Sequence, residues 1–190
     1  MTLVLIIGDI FIPNRAKQIP EKFTKLFTPG KIQTTLCTGN LTDPKILEYF
    51  ETITPKNVFC VAGDSDDEKL QFPEFYQTKI GGYKIGMIHG HQFITEDKTN
   101  LQELITENNL DILIKGNTHK LNTEIFEETL LIDPGSITGA QTLMNSNIKP
   151  SFSLLAFGFG GKYPVVYNYI ISDDELTVSK FDSNLKAKNN

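Results

Sequence analysis

Cysteine is scarce in this chain of 190 residues, which holds only Cys37 and Cys60. Both fall inside apolar, strand-like runs, so buried reduced thiols are the expectation and a disulfide framework is not. No cluster of Lys and Arg is present and the net charge is −5. That argues against a nucleic-acid groove, because neutralising phosphates needs gathered cations. Lys186 and Lys188 belong to the chain's end, where a solvated tail is expected. Long hydrophobic runs are missing as well. Residues 1–7 are apolar but carry no basic leader and are cut short by Gly8-Asp9. They are too short for a signal core or a membrane span, so a cytoplasmic protein with no direct membrane insertion is expected. Internal repeats, low-complexity segments and linkers are likewise absent.

What is present suits a globular domain: 39% hydrophobic and 22% charged residues. The length allows one domain with a sizeable buried core, expected over residues 1–182, with 183–190 as a disordered tail. Residues 3–7, 34–38 and 57–62 read as strands. Between them lie helical patterns, one over 20–27 with Phe23, Leu26 and Phe27 on one side. A second helix starts at Asp43-Pro44, where Asp can cap and Pro suits the first turn. Ile46, Leu47, Phe50 and Ile53 follow at helical spacing. Such alternation implies parallel strands with crossover helices. Later the chain turns to hairpins: 75–80 and 84–88 flank Gly81-Gly82, a helix is expected over 101–108 and a strand over 111–115. Strands then follow at 123–126, 130–132, 151–157, 165–171 and 176–181. The predicted class is α/β, a two-sheet sandwich flanked by helices.

Five polar clusters sit where apolar strands end: Gly8-Asp9, Gly39-Asn40, Gly63-Asp64, His89-Gly90-His91 and Gly116-Asn117-Thr118-His119. Ligands of α/β sheets gather beyond the carboxyl ends of strands, so the five can converge on one pocket. Any one of them alone is an ordinary turn; five in order are a pattern. Asp66, Asp67 and Glu68 form an acidic run, read as a solvated loop.

The order of these clusters resembles that of the calcineurin-like metallophosphoesterases. Their pattern runs Asp-x-His, Gly-Asp, Gly-Asn, a single His and Gly-His-x-His. Asp9 fits the first Asp, but Phe11 stands where the first His would be. Asn40 takes the place of the metal-bridging Asp, Asp64 that of the Asn, and His89 that of the single His. Asn117 replaces the first His of the last motif, while His119 keeps the second; His91 matches no ligand position. Two-metal hydrolysis needs cations about 3.5–4 Å apart, held by a bridging anion. A neutral Asn40 is a poor bridge, and neither Phe11 nor Asn117 supplies the imidazole that zinc prefers. The resemblance therefore implies a degenerate site, not an enzyme, with no cofactor beyond weak zinc or manganese binding. On this view His89 and His119 persist as hydrogen-bonded partners of Asp9 and Asp64. The alternative is an active metal-dependent phosphodiesterase using Asp9, Asn40, Asp64, His89 and His119. A pocket binding a small anion without catalysis is a third reading.

Within that superfamily, residues 4–13 (VLIIGDIFIP), 29–33 (PGKIQ), 36–41 (LCTGNL), 88–92 (IHGHQ), 134–136 (PGS) and 150–152 (PSF) resemble the small-subunit family of retromer. The similarity runs from about residue 3 to residue 181. It implies a scaffold role in endosome-to-Golgi protein transport, in the cytoplasm and at endosomal membranes only through the complex. It also implies a face around the pocket that binds the C-terminal α-solenoid subunit, with Ile94 carried over to it and Phe93 beside it. A second implied surface is an apolar patch for regulatory proteins, matched by Leu154, Tyr167 and Tyr169 and less closely by Leu3 and Leu26. Tyr167 and Tyr169 share a strand face, and packing between sheets is the competing reading for them.

Overall fold

A strand apolar on both faces can only lie between two layers, and Thr2–Ile7 (β1) is such a strand: Val4 to Ile7 are all fully buried. In the computed structural model, which describes residues 1–93, 98–143, 145–158 and 163–188, β1 sits inside a six-stranded sheet. It runs parallel to β2 (Thr34–Cys37), with Ile6 opposite Leu36, and antiparallel to β9 (Ser151–Phe157), with Leu5 opposite Leu154. Strand β3 (Val58–Cys60) extends the parallel side; β10 (Val165–Ser172) and β11 (Glu175–Asp182) extend the other. The second sheet has the order β4 (Phe75–Ile80), β5 (Tyr83–Ile88), β6 (Ile112–Lys115), β8 (Thr129–Pro134), β7 (Leu121–Phe126). Its three central strands β5, β6 and β8 are parallel.

The alternation of side chains along β1 divides the core. Val4 and Ile6 meet Ile85, Met87, Ile112 and Ile114 between the sheets. Leu5 and Ile7 point the other way, toward Phe23, Phe50 and Ile53 on helices α1 (Glu21–Thr24) and α2 (Pro44–Ile53). The outer face of the second sheet packs Leu113 and Leu131 against Leu101 and Ile105 of α3 (Lys98–Asn108). The result is the expected sandwich, with helices on both outer faces.

Helix α2 begins as its sequence dictates: the Asp43 side chain accepts the Lys45 N–H at 2.9 Å, and Pro44 occupies the first turn. Gly81 and Gly82 both take positive φ (61° and 90°), as the tight β4–β5 hairpin requires. Three expectations need correction. The helix expected over 20–27 is a single turn, Glu21–Thr24; beyond it the backbone tightens into i→i+3 bonds, Leu26 N–H to Phe23 O and Phe27 N–H to Thr24 O. The acidic run is not a free loop: Asp67 caps a short 3-10 helix, Glu68–Leu70, and Asp66 is tied to the backbone of the pocket. The third concerns the tail, which packs through residue 188. Leu185 is buried in the core between the sheets, its carbonyl accepts the Tyr83 hydroxyl at 2.8 Å, and the Lys188 N–H donates to Asp111 at 2.7 Å. An apolar side chain and a buried carboxylate waiting at that end of the sandwich outweigh the polar composition of the segment.

Candidate functional site

The parallel strands end on one side of the sandwich, and the five polar clusters meet there. Asp9, one residue past Gly8, is fully buried with φ of 47°, in the left-handed region that Asp adopts more readily than most residues. Asn40 follows β2 with φ of 57° and is also buried. Gly63 lies against it so closely that a Cβ there would stand 2.2 Å from the Asn40 carboxamide oxygen.

Asp9 is the centre of the site. One carboxylate oxygen, Oδ2, accepts the Asn117 N–H at 3.0 Å. The other, Oδ1, accepts from Asn40 Nδ2 at 3.1 Å and lies 3.3 Å from His89 Nε2 and 3.6 Å from His119 Nε2. Burial alone would raise its pKa; the His89 hydrogen bond, the charges of both histidines and the Asn40 bond outweigh that and hold it below the ordinary value. Its main-chain oxygen accepts the Ser136 hydroxyl at 2.6 Å, which pins the loop after β8 to the pocket.

Asn40 makes the most contacts. Its Nδ2 also donates to Asp64 Oδ1 at 3.0 Å and stands 2.9 Å from His89 Nε2. The Asn40 oxygen accepts the Ser65 N–H at 3.0 Å, so the amide is oriented by its partners, nitrogen inward. Asp66 accepts three backbone N–H groups, from Asn40, Gly63 and Thr42, at 2.7, 2.9 and 3.0 Å. His119 Nδ1 donates to the Ala140 carbonyl at 2.7 Å, because a carbonyl can only accept. Phe11, 2% exposed, stacks on His119 with centroids 5.5 Å apart, and the Arg15 guanidinium lies 3.8 Å over the Phe11 ring. Arg15 also donates to Gln141 O at 3.3 Å.

Asp9, Asn40, Asp64, His89 and His119 thus come together, with Phe11 as one wall. Asn117 joins through its backbone N–H, while the residue itself is exposed. His91 meets His89, Nδ1 to Nδ1, at 2.9 Å. Ile94 lies outside the described residues; Phe93 is half-buried against the α3 cluster. Away from the pocket, the register of β1, β9 and β10 puts Leu3, Leu154, Tyr167 and Tyr169 on one face of the first sheet. Tyr169 stacks on Phe152 at 4.5 Å, and Leu26, just after α1, is exposed. Two pocket residues were missed from sequence. Arg15 follows Phe11 at the spacing of one turn and donates its N–H to the Phe11 carbonyl, a signal that could have found it. Asp66 lies only two residues past Asp64, hidden in the acidic run.

These residues do not fit a two-metal centre. Among the described residues no three His, Cys, Asp or Glu side chains are arranged to hold a metal ion. The carboxylate oxygens that would face a cation, Asp9 Oδ1 and Asp64 Oδ1, are instead taken by the Asn40 amide.

The two-sheet αββα sandwich, with its polar clusters at the parallel strand ends, is the architecture of the metallophosphoesterase class of protein. Residues 2–153 match the calcineurin-like phosphoesterase superfamily domain. The chain is 36% identical over 183 residues to vacuolar protein sorting-associated protein 29 of Schizosaccharomyces pombe, covering 94% of this chain and 96% of that protein. The crystal structure of Chaetomium thermophilum Vps29 superposes with a TM-score of 0.88 at 32% identity, over 95% of this chain and 97% of that one. Vps29 of Entamoeba histolytica complexed with zinc gives 0.86 at 37% identity, over 96% and 99%. The chain belongs to the calcineurin-like phosphoesterase superfamily and, within it, to the Vps29 family.

Proposed function

We propose that this protein is a non-catalytic interaction subunit of retromer, supporting endosome-to-Golgi transport by docking the C-terminal end of the coat's α-solenoid subunit on the face around Asp9, Asn40 and His119. It resides in the cytoplasm and reaches endosomal membranes only through the complex; no described helix is long and apolar enough to cross a membrane. The observation that carries the non-catalytic reading is the inward-facing Asn40 amide, which occupies the carboxylates a phosphodiesterase would turn toward metal. A neutral donor cannot bridge two cations or orient a nucleophilic water between them.

Arg15 at this filled pocket and Leu143 on the loop after Ala140 offer docking chemistry. Arg15 presents a guanidinium held over Phe11, and Leu143 is fully exposed on the loop that leaves His119's partner Ala140. Arginine is enriched among the residues that anchor interfaces, and an exposed leucine adds apolar surface to bury beside it. Mixed at micromolar concentration with the C-terminal half of the solenoid subunit, the protein is expected to elute as one complex, weakened by Leu143→Asp and by Arg15→Glu. Separate elution of the unmodified proteins would overturn the proposal. The face bearing Leu3, Leu154, Tyr167 and Tyr169, with Leu26 nearby, is a second docking surface in this reading, for regulatory proteins carrying short Pro-containing loops.

A further inference from the structure

We infer that the Asn40 side-chain amide is a built-in substitute for the pocket's cation, so that the metal-free pocket is the finished, working state of this protein. Three groups of the vestigial ligand set converge on one nitrogen: Asp9 Oδ1 at 3.1 Å, Asp64 Oδ1 at 3.0 Å and His89 Nε2 at 2.9 Å from Asn40 Nδ2. An amide nitrogen has two hydrogens, and the two carboxylates take them; His89 Nε2 packs against the same nitrogen and has its own partner in Asp9 Oδ1, 3.3 Å away. The backbone decides which end of the amide faces inward. Ser65 N–H can only donate, and it donates to Asn40 Oδ1; rotating the amide would set its NH2 against that N–H and its oxygen against Asp9 and Asp64. Gly63 holds the oxygen in place from the other side, where no Cβ fits.

The remaining positions are closed in the same way. His119 is the exception: its Nδ1 bond to the Ala140 carbonyl turns Nε2 toward Asp9, 3.6 Å away, as in a ligating imidazole. The space beside its ring is taken by Phe11, covered in turn by Arg15, a permanent cation. Asp9, the one fully buried carboxylate of the set, has both oxygens engaged by the chain itself. A divalent ion entering this pocket must break the Asn40 bonds to both carboxylates and offers nothing to the Ser65 N–H left behind. Without a bridging anion, the ion's return for that loss is small. This inference concerns what fills the pocket and does not depend on which partner docks outside it.

The test uses the full chain alone, so a failed coat interaction does not affect it. Dialysed against micromolar zinc or manganese, the protein is expected to retain no stoichiometric metal, and its Tm is expected to match that in chelator. The Asn40 side-chain NH2 resonances are expected to exchange slowly and to stay in place on zinc addition. Asn40→Asp puts a third carboxylate where the nitrogen was. That variant should melt lower than the parent in chelator, regain stability with zinc, and bind zinc about tenfold or more tightly than the parent. One zinc per chain in the parent, with an anomalous peak between Asp9, Asp64 and His89, would overturn the inference. So would an Asn40→Asp variant as stable as the parent in chelator and indifferent to metal. Should that variant fail to fold, the metal content and amide resonances of the parent decide the matter.

Discussion

Asp133, at the end of β8, has a carboxylate almost wholly out of water. Burial pushes its pKa up to about 6, against the Lys115 charge, the Thr118 hydroxyl and the Gly135 N–H, which lower it. Lys115 Nζ lies 3.6 Å away, while Thr118 Oγ1 donates at 2.7 Å and Gly135 N–H at 3.0 Å. The sign follows from proton linkage. Between the ordinary value of 3.8 and about 6 the folded protein holds a proton that the unfolded chain releases. Folding is therefore favoured at the acid end of that window, and the contribution is lost as pH rises through about 6. Asp133→Asn is expected to stabilise the protein at neutral pH by up to roughly 3 kcal/mol. It should also flatten the pH dependence of urea midpoints across the window; identical slopes for parent and variant would refute this account. Asp133 also shows where sequence reading stops. Nothing in residues 129–134 marks one polar side chain as sealed, because the seal comes from Lys115 and Thr118 on other elements.

At the scale of elements, the last segment matters more than its composition suggests. Residues 183–188 lay Leu185 into the core, bond Tyr83 and Asp111, and bring Lys188 Nζ to the Leu110 carbonyl at 2.8 Å. Burying a leucine contributes about 1.5–3 kcal/mol, and the bonds to a buried carboxylate add to it. Removing residues 183–190 is expected to cost about 3 kcal/mol, lowering Tm by roughly 6–12 °C in calorimetry. An unchanged Tm would mean the segment is ornamental. Helix α2 is the contrasting case. Its Asp43-Pro44 start and its Phe50 and Ile53 spacing are local signals, so sequence alone located it. The turn around Phe23 and Phe27 carried a similar apolar pattern but folded as a single helical turn followed by tighter ones. Both phenylalanines still reach the core.

For the whole molecule, likeness to a phosphoesterase superfamily and the chemistry of the pocket point in different directions. Assayed with a chromogenic phosphodiester and added manganese or zinc, the protein is expected to give no rate above the buffer blank. A metal-dependent rate abolished by Asp64→Ala would reinstate the phosphodiesterase reading. The sandwich supplies a rigid platform in either case, since β1 is packed on both faces and every cluster of the pocket hangs from the end of a strand or the loop beyond it.

Strand-end glycines, alternating apolar runs and the caps of α2 are short-range chemistry, so the sequence by itself determined the sandwich class and named Asp9, Asn40, Asp64, His89 and His119. Its resemblance to the metallophosphoesterases marked Phe11 and Asn117 as departures from a metal-binding pattern. Only the tertiary structure decided which end of the Asn40 amide faces inward, because its partners Asp9, Asp64, Ser65 and His89 lie 24 to 49 residues away along the chain. The same holds for the Phe11–His119 stack and for the buried tail. Hydrogen-bond direction and burial depend on groups brought together by folding, and no periodicity in a linear sequence records them.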